Sequence, residues 1–353
     1  MTANSRSDDL LRVRDLSVSF ATDGGVARVL DHVNMTIGRG RIVGLVGESG
    51  CGKTTLARAI LGVLPSNSAR VDSGTIDFDG TDLLQKSPEW LARNVRGRQI
   101  SFIPQDPFSS FNPVFPIGSQ IMELMKWKSP ELSEEDVLRP RWRPGSYSRA
   151  RRNADYERVL ILLRKVQLPE PEAILRKYPH EVSGGQRQRL MIAMALLPEP
   201  KLVIADEATT ALDVTIQAQI LMLLRELATD LGVSVLFTTH DLGTAYEICD
   251  RITVMYAGQE MESATSNEFF NHPTHPYTNS LLRSLPSREH GIQGIRGEIP
   301  SLIDPPTGCR FNPRCDNSVA VCRQDRPDPT DMGDGHIVRC FNPVSAEQRA
   351  KAS

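Results

Sequence analysis

The residues with the most evident chemistry lie together at 47–55, Gly-Glu-Ser-Gly-Cys-Gly-Lys-Thr-Thr. Gly47, Gly50 and Gly52 let the backbone bend tightly and approach an anion without a Cβ in the way. Amides of this loop, through Glu48, Ser49 and Cys51 and on into a helix, would point at the β- and γ-phosphates of a nucleotide. Lys53 would add a positive charge there, Thr54 a hydroxyl ligand for Mg²⁺, and Thr55 a hydroxyl for the α-phosphate. A plain glycine turn has no use for Lys-Thr-Thr. Asp206 follows four apolar residues, so it should fall at the carboxyl end of a strand, where open α/β sheets bind ligands. A carboxylate there needs a cation, and Mg²⁺ supplies one. Glu207 beside it would polarise the attacking water. Gln105 can reach Mg²⁺ or that water through its amide oxygen. His240 ends another apolar run and can bond the γ-phosphate and hold Glu207, although a strand-end histidine taken alone is ordinarily a polar cap. Phe20 is either a stacking surface for adenine or a core aromatic.

A second anion site follows from Ser183-Gly184-Gly185-Gln186. Ser183 is a good N-cap, and an exposed helix N-terminus with two glycines attracts negative charge. It is redundant for a nucleotide whose phosphates the first loop already saturates. The economical reading is that it caps a nucleotide bound to a different subunit.

Specific elements must position these groups. Residues 11–20 alternate apolar and polar, as a strand should, and 42–46 reads as a short buried strand. A helix over 53–64 completes the strand–loop–helix context that a phosphate loop requires. Further strands are expected at 100–103, 202–205 and 233–239. Residues 108–182 read as helical segments with polar breaks inserted into the core. Beyond about residue 256, Pro, His and Cys become more frequent, marking a C-terminal appendage. The expected organisation is a nucleotide-binding domain over 1–255, with its helical subdomain at about 107–182, and an extension over 256–353.

With those motifs in order, the chain resembles the ATP-binding subunits of ABC transporters over roughly residues 10–260. The family's Walker A, Q-loop, signature, Walker B and switch histidine match the motifs above, and Asp213 in Ala211-Leu212-Asp213 matches its D-loop. The resemblance implies an α/β fold: a P-loop ABC ATPase core, an antiparallel β subdomain, an inserted helical subdomain and a small C-terminal extension. It also implies a head-to-tail dimer with two ATP molecules between phosphate loop and signature. Val182 replaces the commoner leucine before the signature, a neutral apolar exchange. Gln105-Asp-Pro-Phe-Ser-Ser-Phe-Asn-Pro-Val-Phe115, Tyr178-Pro-His-Glu-Val-Ser-Gly-Gly-Gln-Arg-Gln-Arg189, the stretch 205–215 and His275-Pro-Tyr-Thr278 are similar to the dipeptide/oligopeptide permease branch. Ala208 stands where that branch has proline, which would loosen the turn beside Glu207. The branch implies an importer with two integral membrane permease subunits, a second ATP-binding subunit and an extracytoplasmic solute-binding protein. Dipeptides or oligopeptides are the leading cargo; nickel chelates, glutathione and oligosaccharides are also carried in the branch.

Cys309, Cys315, Cys322 and Cys340 are spaced C-x5-C-x6-C-x17-C. Four cytosolic thiolates this close read as a metal site. The gaps are wide for zinc and better suit an iron–sulfur cluster; buried apolar thiols with no metal are the third reading. The branch resemblance implies [4Fe–4S]. Cys51 reads as packing with a thiol that could react at a helix N-terminus, and Cys249 as core. Six arginines between 139 and 152, with Trp142 and Tyr147, read first as a solvated insertion and second as a contact for anionic lipid or an acidic permease loop.

Net charge is −2, so no global basic field draws nucleic acid, and none is expected as a partner. The longest apolar run, 190–197, is too short to span a bilayer. The N-terminus lacks a signal-peptide core. The expected place is therefore the cytoplasmic face of the bacterial inner membrane, reached through the permease. Two rivals compete: a soluble ABC ATPase acting on ribosomes or nucleic acid, and a nucleotide-binding subunit that does not hydrolyse. A single motif set and a short insertion oppose the first; intact Glu207, His240 and signature oppose the second.

Overall fold

The computed structural model describes residues 8–106, 110–132, 147–208, 214–285 and 294–345. The chain divides into two units, Met1–Gln85 with Phe237–Ser353, and Lys86–Leu236.

In the first unit the alternating stretch forms the strand Asp9–Thr22, which pairs antiparallel with Gly25–Gly38 on one side and Ala69–Phe78 on the other. Thr81–Asp82 closes this antiparallel sheet at its edge. Alternation buries Leu11 and Val13, and a register irregularity between Val13 and Leu16 shifts the pattern so that Leu16 and Val18 are buried too. A second sheet contains Ile42–Val46, buried at all five positions, running parallel to Arg251–Tyr256. A strand buried on both faces reads as a continuous apolar run, which is why its sequence shows no alternation. Cys249 is core, as expected, and a Cβ on Gly44 would come within 2.7 Å of its Sγ. The helix Lys53–Leu61 ends earlier than its apolar pattern. Gly62 takes the left-handed conformation at φ 64 and closes its N–H on Ala59 O and Arg58 O, a glycine stop that overrides the residues after it.

The C-terminal residues continue this second sheet. Gln259–Thr265 pairs antiparallel with Arg251–Tyr256, Ile337–Val338 pairs with Gln259–Thr265, and Thr330–Asp331 lies outside. Glu262 anchors the region from a buried position. Its carboxylate accepts the amides of Thr274 and His275, both at 2.9 Å, and lies 2.7 Å from His336 Nε2. His275 caps the helix Pro276–Arg283 by accepting the Tyr277 amide on Nδ1. Burial pushes the His275 imidazole down to about 4, against the pull of Glu262. A depressed base binds its proton in the unfolded chain first, so stability is complete above the ordinary histidine value and is lost as pH falls toward 4. Acidification from pH 7 to pH 4 should cost up to about 3 kcal/mol through this residue. Urea unfolding across that range would show it, and His275→Asn should flatten that part of the profile.

In the second unit Ile100–Ile103 lies parallel to Leu202–Asp206. Among the described residues, everything between these strands is helix or loop, including Ile117–Lys128, Arg149–Lys165 and Gly184–Leu196. Ser129 donates to buried Asp155 at 2.6 Å, tying the end of the first of these helices to the second. Val214–Leu231 follows, and Ser234–Thr239 carries the chain out of the unit. No helix among the described residues is long and apolar enough to cross a membrane.

Candidate functional site

The phosphate loop leaves Ile42–Val46 at Gly47 and enters the helix at Gly52. Gly47, Gly50 and Gly52 all have positive φ, at 152, 79 and 110. At Gly47 the requirement is also steric: a Cβ would lie 2.2 Å from Met255 O. Gly47→Ala should therefore destabilise the fold by about 2 kcal/mol or more and abolish nucleotide binding; thermal unfolding and a nucleotide titration measure the two effects. Gly52 is the N-cap and offers no side-chain bond to the first turn, which also lacks acidic residues. The amides that an anion would use are thus not claimed by a cap. Lys53 is buried, and its ammonium donates to Gly47 O at 2.7 Å, folding back along the loop. Thr54 is exposed at the helix start, Thr55 half-buried, and Ser49 exposed on the loop. Cys51 is 1% exposed, and burial pushes its thiol up despite Lys53.

In the second unit, Asp206 is the last residue of its strand and is buried. Glu207 follows in the left-handed region at φ 46, a costly conformation for a residue with a Cβ. Gln105, just past Ile100–Ile103, donates from Nε2 to Glu207 Oε2 at 2.9 Å. The parallel pairing of the two strands brings Q-loop and Walker B residues together. The turn beside Glu207 is not loose: Ala208 is buried, and its carbonyl accepts from the fully buried Gln188 amide on the signature helix. Gln188 was not singled out by its chemistry, although it sits two residues beyond Gln186.

The signature helix Gly184–Leu196 begins with a complete capping box. Ser183 Oγ accepts the Gln186 amide at 3.2 Å, and Gln186 Oε1 accepts the Ser183 amide at 3.0 Å. Ser183 is exposed, and Gly184, Gly185 and Gln186 are half-buried. His240 is exposed just beyond Ser234–Thr239, on a turn fixed by the Asp241 amide donating to Thr239 Oγ1 at 3.0 Å. Phe20 is half-buried near the end of its strand. Asp213 of the D-loop lies outside the described residues, as do Arg139, Arg141, Trp142 and Arg143. Arg151 is structural, donating to Met125 O and Lys126 O, whereas Arg149 and Arg152 line a polar groove with Tyr147 and Arg176.

The four C-terminal cysteines are free thiols. Cys309 and Cys322 are buried, Cys315 and Cys340 half-buried. Burial and then the neighbouring thiols push Cys315 up to about 11 and Cys340 to about 12. The Cys309 amide donates to Cys322 O at 2.9 Å. As arranged, no group of three or more His, Cys, Asp or Glu among the described residues could hold a metal ion.

Fold and site together define a P-loop ATPase of the ATP-binding-cassette type. The "ABC transporter" family matches residues 30–210, and "Oligopeptide/dipeptide transporter, C-terminal region" matches 261–322. The chain is 43% identical to the "Probable peptide ABC transporter ATP-binding protein y4tR" of Sinorhizobium fredii, across 97% of both chains. It is 41% identical to the "Dipeptide transport ATP-binding protein DppD" of Bacillus subtilis, across 95% of each. Among solved structures, the cassette MJ0796 bound to ADP and Pi superposes with a TM-score of 0.57 at 25% identity, covering 72% of this chain and 98% of that one. CbiO1 from Clostridium perfringens gives 0.59 at 26%, covering 75% and 92%. The chain belongs to the ABC transporter family, as an ATP-binding subunit that carries the oligopeptide/dipeptide C-terminal region.

Proposed function

We propose that this chain hydrolyses ATP to drive uptake of dipeptides or oligopeptides. The phosphate-loop amides and Lys53 bind the phosphates, while Thr54, Asp206 and Gln105 hold Mg²⁺. Glu207 orients and deprotonates the attacking water, and His240 bonds the γ-phosphate. The signature helix caps ATP held by another copy or by a second, related ATP-binding subunit. Closure pulls on two membrane permease subunits, which receive peptide from an extracytoplasmic solute-binding protein, and hydrolysis resets the pair. The chain then works at the cytoplasmic face of the cell membrane.

The observation that carries this reading is the joining of cassette and peptide-transporter C-terminal region in one chain, along nearly the whole length of its peptide-transport relatives. An exposed apolar groove supports contact with a permease. Val114 and Phe115 are exposed, and Phe115, Leu124, Trp127 and Met194 line a groove of about 930 Å³ beside the helix Ile117–Lys128. Affinity capture from a detergent extract tests the assignment: multi-spanning membrane proteins should co-purify, and recovery of ribosomal proteins in their place would contradict it.

The four cysteines are proposed as ligands of a [4Fe–4S] cluster, which would fasten the C-terminal region. Its support is the sequence alone: four cysteines within one short segment, at a spacing that is wide for zinc. Protein purified without oxygen should absorb near ~400 nm and contain iron and sulfide. Zinc alone, or no metal, would retire the cluster.

A further inference from the structure

The phosphate loop is held from beneath by the segment between Cys309 and Cys315. Arg314 places its guanidinium on the Glu48 carboxylate in a fork, with Nη1 at 2.8 Å and Nη2 at 3.2 Å. That side chain is only 4% exposed. Its remaining donors are engaged too, Nε with Arg296 O at 2.9 Å and Nη1 with the Tyr256 hydroxyl at 3.3 Å, and the guanidinium lies over the Tyr256 ring. The Glu48 amide donates to the Tyr277 hydroxyl at 3.2 Å. Phe311, Tyr256 and Tyr277 form a three-ring cluster, with Phe311 5.2 Å from each tyrosine and the tyrosines 4.7 Å apart.

A second arginine of the same segment braces the chain beside the loop. Arg310 is 2% exposed; it donates to Ala257 O and lies 3.0 Å from Asp31. The next residue, Gly258, donates its amide to Cys51 O at 2.9 Å, inside the phosphate loop. Glu48 is thus held directly by Arg314, while Cys51 is held by the Gly258 amide, next to the carbonyl that Arg310 bonds.

Glu48 raises an electrostatic problem. It is the second residue of an anion-binding loop, and an uncompensated carboxylate there opposes the negative phosphates. A forked guanidinium cancels that charge and fixes its position in a way a lysine cannot. We propose that Arg314 is a positioning residue for ATP, neutralising and immobilising Glu48 so that the phosphate loop presents its amides to the nucleotide. The C-terminal region thereby sets nucleotide affinity, whatever the four thiols bind.

The inference rests on the ATP reading of the loop, and the experiment separates the two. Full-length variants are titrated with trinitrophenyl-ATP, competed with MgATP, and assayed for hydrolysis. Arg314→Met should weaken ATP binding by roughly tenfold or more, raising KM with kcat at saturating ATP changed less than twofold. Arg314→Lys should recover part of the affinity. Adding Glu48→Gln to Arg314→Met removes the orphaned carboxylate and should return affinity to within about threefold of wild type. A purely structural role would lower the melting temperature without rescue by Glu48→Gln. Wild-type affinity in Arg314→Met, or a double variant as weak as the single, overturns the proposal. Should Arg314→Met not fold, Arg314→Lys and the double variant decide it on the same criterion. Lys53→Ala is the control: wild-type binding in that variant sinks the ATP reading itself, whereas lost binding there beside normal Arg314→Met sinks only this inference.

Discussion

Glu207→Gln should lower ATP turnover by at least about 100-fold and leave ATP binding intact. Glutamine keeps the shape and the carbonyl oxygen that Gln105 Nε2 bonds, so the left-handed backbone at φ 46 and the strand end stay as they are. What is lost is the negative charge proposed to orient and deprotonate water. A nucleotide that binds but is not cleaved holds the two subunits together, so the variant should accumulate as an ATP-dependent dimer. Phosphate release and light scattering with and without ATP measure the two halves of this result. Normal turnover would remove Glu207 from its role.

Gly185→Asp should be nearly as damaging for a different reason. An acidic residue in the first turn favours a helix, and the capping box of Ser183 and Gln186 does not involve the Gly185 side of the turn. The new Cβ would stand 3.2 Å from Ile216 Cγ2, a contact that a small shift relieves. The helix should survive with a carboxylate where a partner's γ-phosphate is expected. Binding at the variant's own phosphate loop should persist, while hydrolysis falls at least about 100-fold. Nucleotide affinity and turnover measured on one preparation distinguish this from misfolding.

The residues proposed to meet phosphate and magnesium stand out in the sequence because their chemistry leaves few alternatives. Lys53, Thr54, Asp206 and Glu207 have no packing reason to stand where they do, and strand–loop–helix order placed them. Helix ends were less legible: apolar residues run on past Gly62, and only the left-handed glycine stops the helix. What holds the site was hidden. Tyr277 lies 229 residues from Glu48, and Arg314 lies 266 from it, so no local pattern links them. Gln188 likewise looks like one more polar residue of a helix until its amide is found on Ala208 O. The spacing of the four cysteines likewise gives no sign that Arg314, between two of them, reaches the phosphate loop through Glu48.

The most direct test of shared nucleotide sites mixes two inactive chains, Lys53→Ala and Gly185→Asp. Each homodimer has both composite sites broken. In a mixed dimer, one site combines the intact phosphate loop of one chain with the intact signature of the other. Partial recovery of ATP hydrolysis on mixing is the predicted result. No recovery from two variants shown to form mixed dimers would contradict the account.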